Sequence, residues 1–156
     1  MTFKDELMEI LKAELESLKA IKELSYEKTE VIINNQLEQL ESITKKEVEL
    51  INQMANLEKA RLNLLNTWGV DIKAPLSQII EKIPGEKEEL LNLADDLKNS
   101  LKDIQSRNDM NRELIEDNLE WLEFNINLIT QAATPATYSK EKNNSKSGRT
   151  IFDRKV

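Results

Sequence analysis

Hydrophobic residues recur along this chain at steps of three and four, the spacing of one face of an α-helix. Phe3, Leu7, Ile10, Leu11, Leu18, Ile21 and Leu24 make a first stripe. Thr2 followed by Asp5 gives it a start: the hydroxyl accepts an early backbone N–H and the carboxylate suits the positive end of the helix dipole. Asn34-Asn35 come directly after Val31-Ile32-Ile33, and asparagine tolerates turn geometry, so the pattern predicts a reversal there. A continuous helix with a shifted stripe is the alternative. A second seam then steps through Leu40, Ile43, Glu47, Leu50, Met54, Leu57, Arg61, Leu64 and Trp68. Leu37, Val48, Ile51, Leu62 and Leu65 widen it, as a helix inside a bundle requires, and Gly69 ends it.

Residues 70–85 read as a connection. Pro75 suits the first turn of a short helix over Leu76–Lys82, and Pro84-Gly85 breaks it. Glu86, Glu88 and Glu89 open another long helix, whose stripe is Leu90, Leu93, Leu97, Leu101 and Ile104. The stripe turns polar at Gln105, Asn108, Asn111 and Arg112. These positions are either a solvated stretch with no neighbour or a buried amide cluster that fixes helix register. From Leu114 the helix is more apolar than one stripe can account for. Ile115, Leu119, Leu122, Ile126 and Ile129 share one face, expected to pack on the first two helices; Leu114, Trp121 and Leu128 lie about 100° around, and Phe124 at a further angle. Either the chain covers this helix on all sides, or the second face serves a partner. The helix should end before Thr134-Pro135, because the residue before proline is disfavoured in helix.

The expected fold is therefore all-α. It is an elongated bundle of three long antiparallel helices and one short connecting helix over 1–134, with a flexible basic tail over 135–156. The tail is mostly polar and cannot bury enough apolar surface to offset its ordering entropy. Tyr138, Ile151 and Phe152 are its large side chains: either passengers on a floppy terminus, or a short motif that orders on binding.

Charge sharpens this division. The chain carries −7 overall, yet beyond Thr137 Lys140, Lys142, Lys146, Arg149, Arg154 and Lys155 face only Glu141 and Asp153. The body is thus strongly acidic, which opposes binding to nucleic-acid phosphates. There is no Cys and no His. That removes thiol catalysis, the commonest general base and the commonest zinc ligands. Adjacent carboxylates such as Asp95-Asp96 and Glu88-Glu89 read as a solvated helix face, and no phosphate loop or calcium loop is present. No catalytic, cofactor-binding or metal-binding residue is expected. The N-terminus lacks a signal-peptide core and no apolar run is long enough to span a bilayer, so a cytoplasmic protein without stable membrane insertion is expected.

Three stretches carry a resemblance. Asn34-Asn35-Gln36-Leu37-Glu38-Gln39-Leu40 follows the first helix. Gln105, Asn108, Asn111, Arg112 and Ile115 precede the most apolar one. Thr137-Tyr138, Gly148 and a terminal Ile151-Phe152-Asp153-Arg154-Lys155 form the ending. In this order they resemble the flagellar export chaperones of the FlgN family; the stretch from Tyr138 to Gly148 is longer and richer in Lys and Asn than the family ending. The resemblance implies a non-enzymatic chaperone that binds hook-associated flagellar proteins, prevents their premature assembly and delivers them to the export gate and its ATPase complex. It places cargo binding on Leu114, Ile115, Leu119, Trp121, Leu122, Phe124, Ile126, Leu128 and Ile129. It places gate docking on Tyr138, with Ile151 and Phe152 as possible additions. A non-enzymatic coiled-coil adaptor is the alternative.

Overall fold

The computed structural model describes residues 1–131, so Tyr138, Ile151, Phe152 and the rest of the tail lie outside the described residues. Four helices form: α1 (Phe3–Ile33), α2 (Leu37–Thr67), α3 (Leu76–Glu81) and α4 (Glu88–Gln131). The all-α expectation holds, and the long helices run up, down and up. Each boundary has a local cause. Thr2 and Asp5 form a complete capping box, the Thr2 hydroxyl accepting from the Asp5 N–H at 3.2 Å while the Asp5 carboxylate accepts from the Thr2 N–H at 3.3 Å. The Thr2 hydroxyl also donates to that carboxylate at 2.8 Å and holds it below the usual carboxylate range.

The predicted reversal is a Schellman turn. Asn35 adopts φ 55°, and the Asn35 and Gln36 N–H groups donate to the carbonyls of Ile32 and Val31. Gly69 repeats the motif after α2 with φ 68°, its N–H and that of Val70 donating to Asn66 and Leu65. The short helix falls at its predicted place, ending one residue sooner.

α1 is the middle element. α2 and α4 each pack along it and not closely against each other, while α3 packs on α4. The main core runs from Leu7, Leu11, Leu15, Leu18 and Ile21 of α1 to Leu64 of α2, Ile80 of α3, and Leu90, Leu93, Leu97 and Ile104 of α4. Leu7, Leu11 and Leu90 are wholly buried, each contributing about 1.5–3 kcal/mol relative to exposure.

This arrangement corrects the expectation for α2. Leu65 is buried and Leu62 half-buried, but Leu37, Val48 and Ile51 are exposed. A helix with one close neighbour buries one stripe, so the widening residues face outward.

The two polar positions in the α2 seam have buried partners. Arg61 meets Glu14 at 3.5 Å, and Glu47 meets Lys28 at 3.5 Å, with Glu14 and Lys28 both almost fully buried. Two heptads up α1 correspond to two heptads down α2, so the ion pairs lock the antiparallel register. α4 runs parallel to α1 and is matched to it by polar contacts. Asn111, wholly buried, accepts from the Thr29 hydroxyl at 2.5 Å and donates to the Ser25 carbonyl at 2.9 Å. The Ser25 hydroxyl donates to Asn108 at 3.3 Å, and Lys22 bonds Asp103 at 2.9 Å. The polar inset is thus an interhelical amide cluster at Asn108 and Asn111, while Gln105 and Arg112 face solvent.

Two outcomes test this account. Asn111→Ala is expected to cost about 1–3 kcal/mol in urea unfolding, because the Thr29 hydroxyl and the Ser25 carbonyl lose a buried partner. Glu14 supplies a pH test. Burial raises its pKa most, Glu58 adds to this, and Arg61 opposes it. A raised folded-state pKa means that this carboxyl favours folding below the ordinary carboxylate range, a contribution lost as pH rises through the raised value. At neutral pH the charged form depends on Arg61. Arg61→Met is therefore expected to cost about 3 kcal/mol at neutral pH, and the deficit relative to the unsubstituted protein is expected to shrink on acidification as Glu14 takes up a proton. A deficit that does not change with pH would contradict the assignment.

Candidate partner-binding site

The helices differ in length, and the register places the difference at one end. Asn118 of α4 donates to the carbonyl of Ile32, close to the last turn of α1, at 3.3 Å. Beyond that level α4 continues past the end of α1 through residues 120–131, about 18 Å of helix at 1.5 Å per residue. The α4 face that packs on α1 is Leu97, Ile104, Asn108, Asn111 and Ile115, and three- and four-residue steps carry it on to Leu122, Ile126 and Ile129. Leu122 shares a groove with Val31 and Ile32 at the end of α1, and Ile126 and Ile129 lie beyond it.

The sequence-predicted residues accordingly separate. Ile115 is buried, with 7% of its surface exposed, and belongs to the bundle. Leu114 and Leu119 are half-buried. Trp121 (67%), Phe124 (61%) and Ile129 (75%) are open, and Leu122, Ile126 and Leu128 are exposed as well. The expectation that the stripe from Ile115 to Ile129 packs on the first two helices therefore holds only for its beginning. α1 ends too early to cover the rest. Both stripes emerge onto a common surface, and local hydrogen bonds from Asn125 to the Trp121 carbonyl (2.7 Å) and from Thr130 to the Ile126 carbonyl (2.9 Å) accompany the helix there.

The foot of this surface is a groove of about 520 Å³, where α4 passes the α1–α2 turn. Leu119, Trp121 and Leu122 form one wall; Val31, Ile32, Leu37 and Leu40 form the other. The sequence reading missed this second wall. Its signal was present: a first helix ended by Asn34-Asn35 cannot accompany a longer parallel helix to its end, so the turn must lie against the flank of that helix. The groove has no titratable pair poised for proton transfer, and among the described residues no group of acidic side chains is arranged to hold a metal ion. Its chemistry is apolar burial, with backbone and amide groups of Asn35, Gln36 and Asn118 at the edge.

No helix among the described residues is long and apolar enough to cross a membrane. No solved structure matches the chain significantly. It is 30% identical over 119 residues to the uncharacterized protein YvyG of Bacillus subtilis (strain 168), an alignment covering 75% of this chain and 74% of that one. A family model described as FlgN protein matches residues 1–146, which takes in all four helices. The chain belongs to the FlgN family, a family of flagellar export chaperones.

Proposed function

We propose that this protein is a cytoplasmic chaperone for hook-associated flagellar proteins, that it holds a terminal segment of its cargo on the end of α4 that runs past α1, and that it delivers the cargo to the export gate through the tail around Tyr138. The observation that supports this reading is the continuation of the α4 stripe past the end of α1. Ile126 and Ile129 keep the spacing of a helix-packing seam beyond the end of α1, Leu122 stands at its foot in the groove, and Trp121, Phe124 and Leu128 broaden it, all six exposed. A cargo helix laid along this face would replace the missing stretch of α1, with its end seated in the groove beside Leu37 and Leu40.

Apolar burial of this kind suits a carrier. It covers an aggregation-prone segment without a fixed polar pattern, and it forms and reverses with no covalent step. Ile115 contributes by holding α4 against α1, and Leu114 and Leu119 by flanking the groove. The tail residues Tyr138, Ile151 and Phe152 supply the gate contact, with the basic residues around them favouring an acidic surface on the export machinery.

Two measurements separate the roles. Trp121→Ala and Leu122→Ala are each expected to weaken binding of a purified hook-associated protein by about ten- to a hundredfold in calorimetric titration, with helicity and melting temperature unchanged. Retained affinity, or collapse of the whole domain, would sink the cargo assignment. Deletion of residues 137–156 is expected to leave folding and cargo affinity intact while lowering export of the cargo into the medium. An unfolded truncated body, or undiminished export, would reject the docking role.

A further inference from the structure

The end of the bundle away from the α4 extension holds a second apolar cavity, of about 700 Å³. Phe3 from the start of α1, Trp68 from the end of α2, Val70 from the connection, and Ile79, Ile83 and Pro84 from α3 and its exit line it. From its position, charge and construction we infer that this cavity is a docking site for a short peptide segment of a partner protein, one that carries a large apolar side chain next to an acidic one.

The cavity is built by an elaborated connection. Residues 68–75 and 82–87 join the short helix α3 to α2 and α4, so a whole extra helix stands between the two long ones. Gly69 and Gly85, with φ of 68° and 89°, turn the chain at its two ends. Asp71 accepts from the Lys73 N–H at 3.0 Å and shapes the stretch between. The connection thereby walls a concave space instead of crossing the bundle by the shortest path.

The walls are held in place before anything binds. Phe3 and Trp68 pack ring against ring, their centroids 5.6 Å apart and their planes tilted by 53°. Ile79 and Ile83 are buried and hold the floor in place. Trp68 nonetheless leaves 52% of its surface open. A fixed aromatic wall receives an apolar side chain with little loss of its own freedom.

Charge selects the occupant. Lys4 and Lys82 line the cavity against the single acid Asp71, in a chain whose net charge is −7. Lys4 donates to the Glu86 carbonyl, which keeps its ammonium at the rim. A segment with a carboxylate beside an apolar anchor matches an apolar floor with a cationic edge.

The indole is a reporter. In a Trp121→Phe background Trp68 is the sole tryptophan. Titration with an acetylated, amidated peptide of sequence Gly-Asp-Phe-Asp-Leu-Gly is expected to change Trp68 emission saturably. The same peptide with lysine in place of aspartate should bind at least about tenfold more weakly, and Lys82→Glu, an exposed substitution with the melting temperature as its folding control, should reverse that preference. Absence of a saturable response, equal binding of the two peptides, or an unchanged preference in Lys82→Glu would each overturn the inference. A Trp68→Phe protein whose Trp121 reports the same binding would do so too, because the peptide would then sit at the other end.

Discussion

The register between α1 and α4 is the constraint on which the candidate site depends. α4 is the longer helix, and length alone does not say at which end the excess lies. The Thr29, Ser25 and Ile32 contacts to Asn111, Asn108 and Asn118 place it beyond the α1–α2 turn. A slip of one helical turn would leave buried amide and hydroxyl groups unpaired, a larger penalty than an apolar seam would suffer from the same slip. Apolar residues supply most of the attraction between these helices, and polar ones select the alignment.

The two halves of the bundle are built differently as a result. Around Leu7, Leu11, Ile80, Leu90 and Leu97 the core is aliphatic and includes α3. Towards the turn it is thinner and mixed, with Ser25, Lys28, Thr29 and Asn111 buried beside a small cluster of Leu24, Val31 and Ile43. Arg107 covers the Tyr26 ring at 3.9 Å on the outside of this half. Fewer apolar side chains are clustered here, and this half carries the extension of α4.

Much of this was legible in the sequence. Helix starts and stops were readable because Thr2, Asn34-Asn35, Gly69 and Pro75 act through their own backbone geometry, within a few residues. The apolar helix from Leu114 stood out because its composition exceeds one stripe. Less legible was anything that depends on which helices are neighbours. The exposure of Val48 and Ile51 follows from α2 having one close partner, which their spacing does not encode. Glu47 and Arg61 looked like interruptions of a seam until Lys28 and Glu14 appeared opposite them. Trp68 sat at the end of the same seam, and its use as a wall depends on residues 70–84 folding back past it.

The end of α4 beyond the α1–α2 turn also has a thermodynamic consequence. An isolated helix of fewer than ~12–15 residues is marginal in water, because its own hydrogen bonds scarcely offset the entropy of fixing the backbone. Residues 120–131 are about that length, but they continue a helix already nucleated against α1, so each further turn needs propagation alone. A segment packed on this face would add side-chain contacts to turns that backbone propagation holds, and so help to keep them wound. Any loosening of these turns can proceed one turn at a time, without unfolding the bundle that supports them.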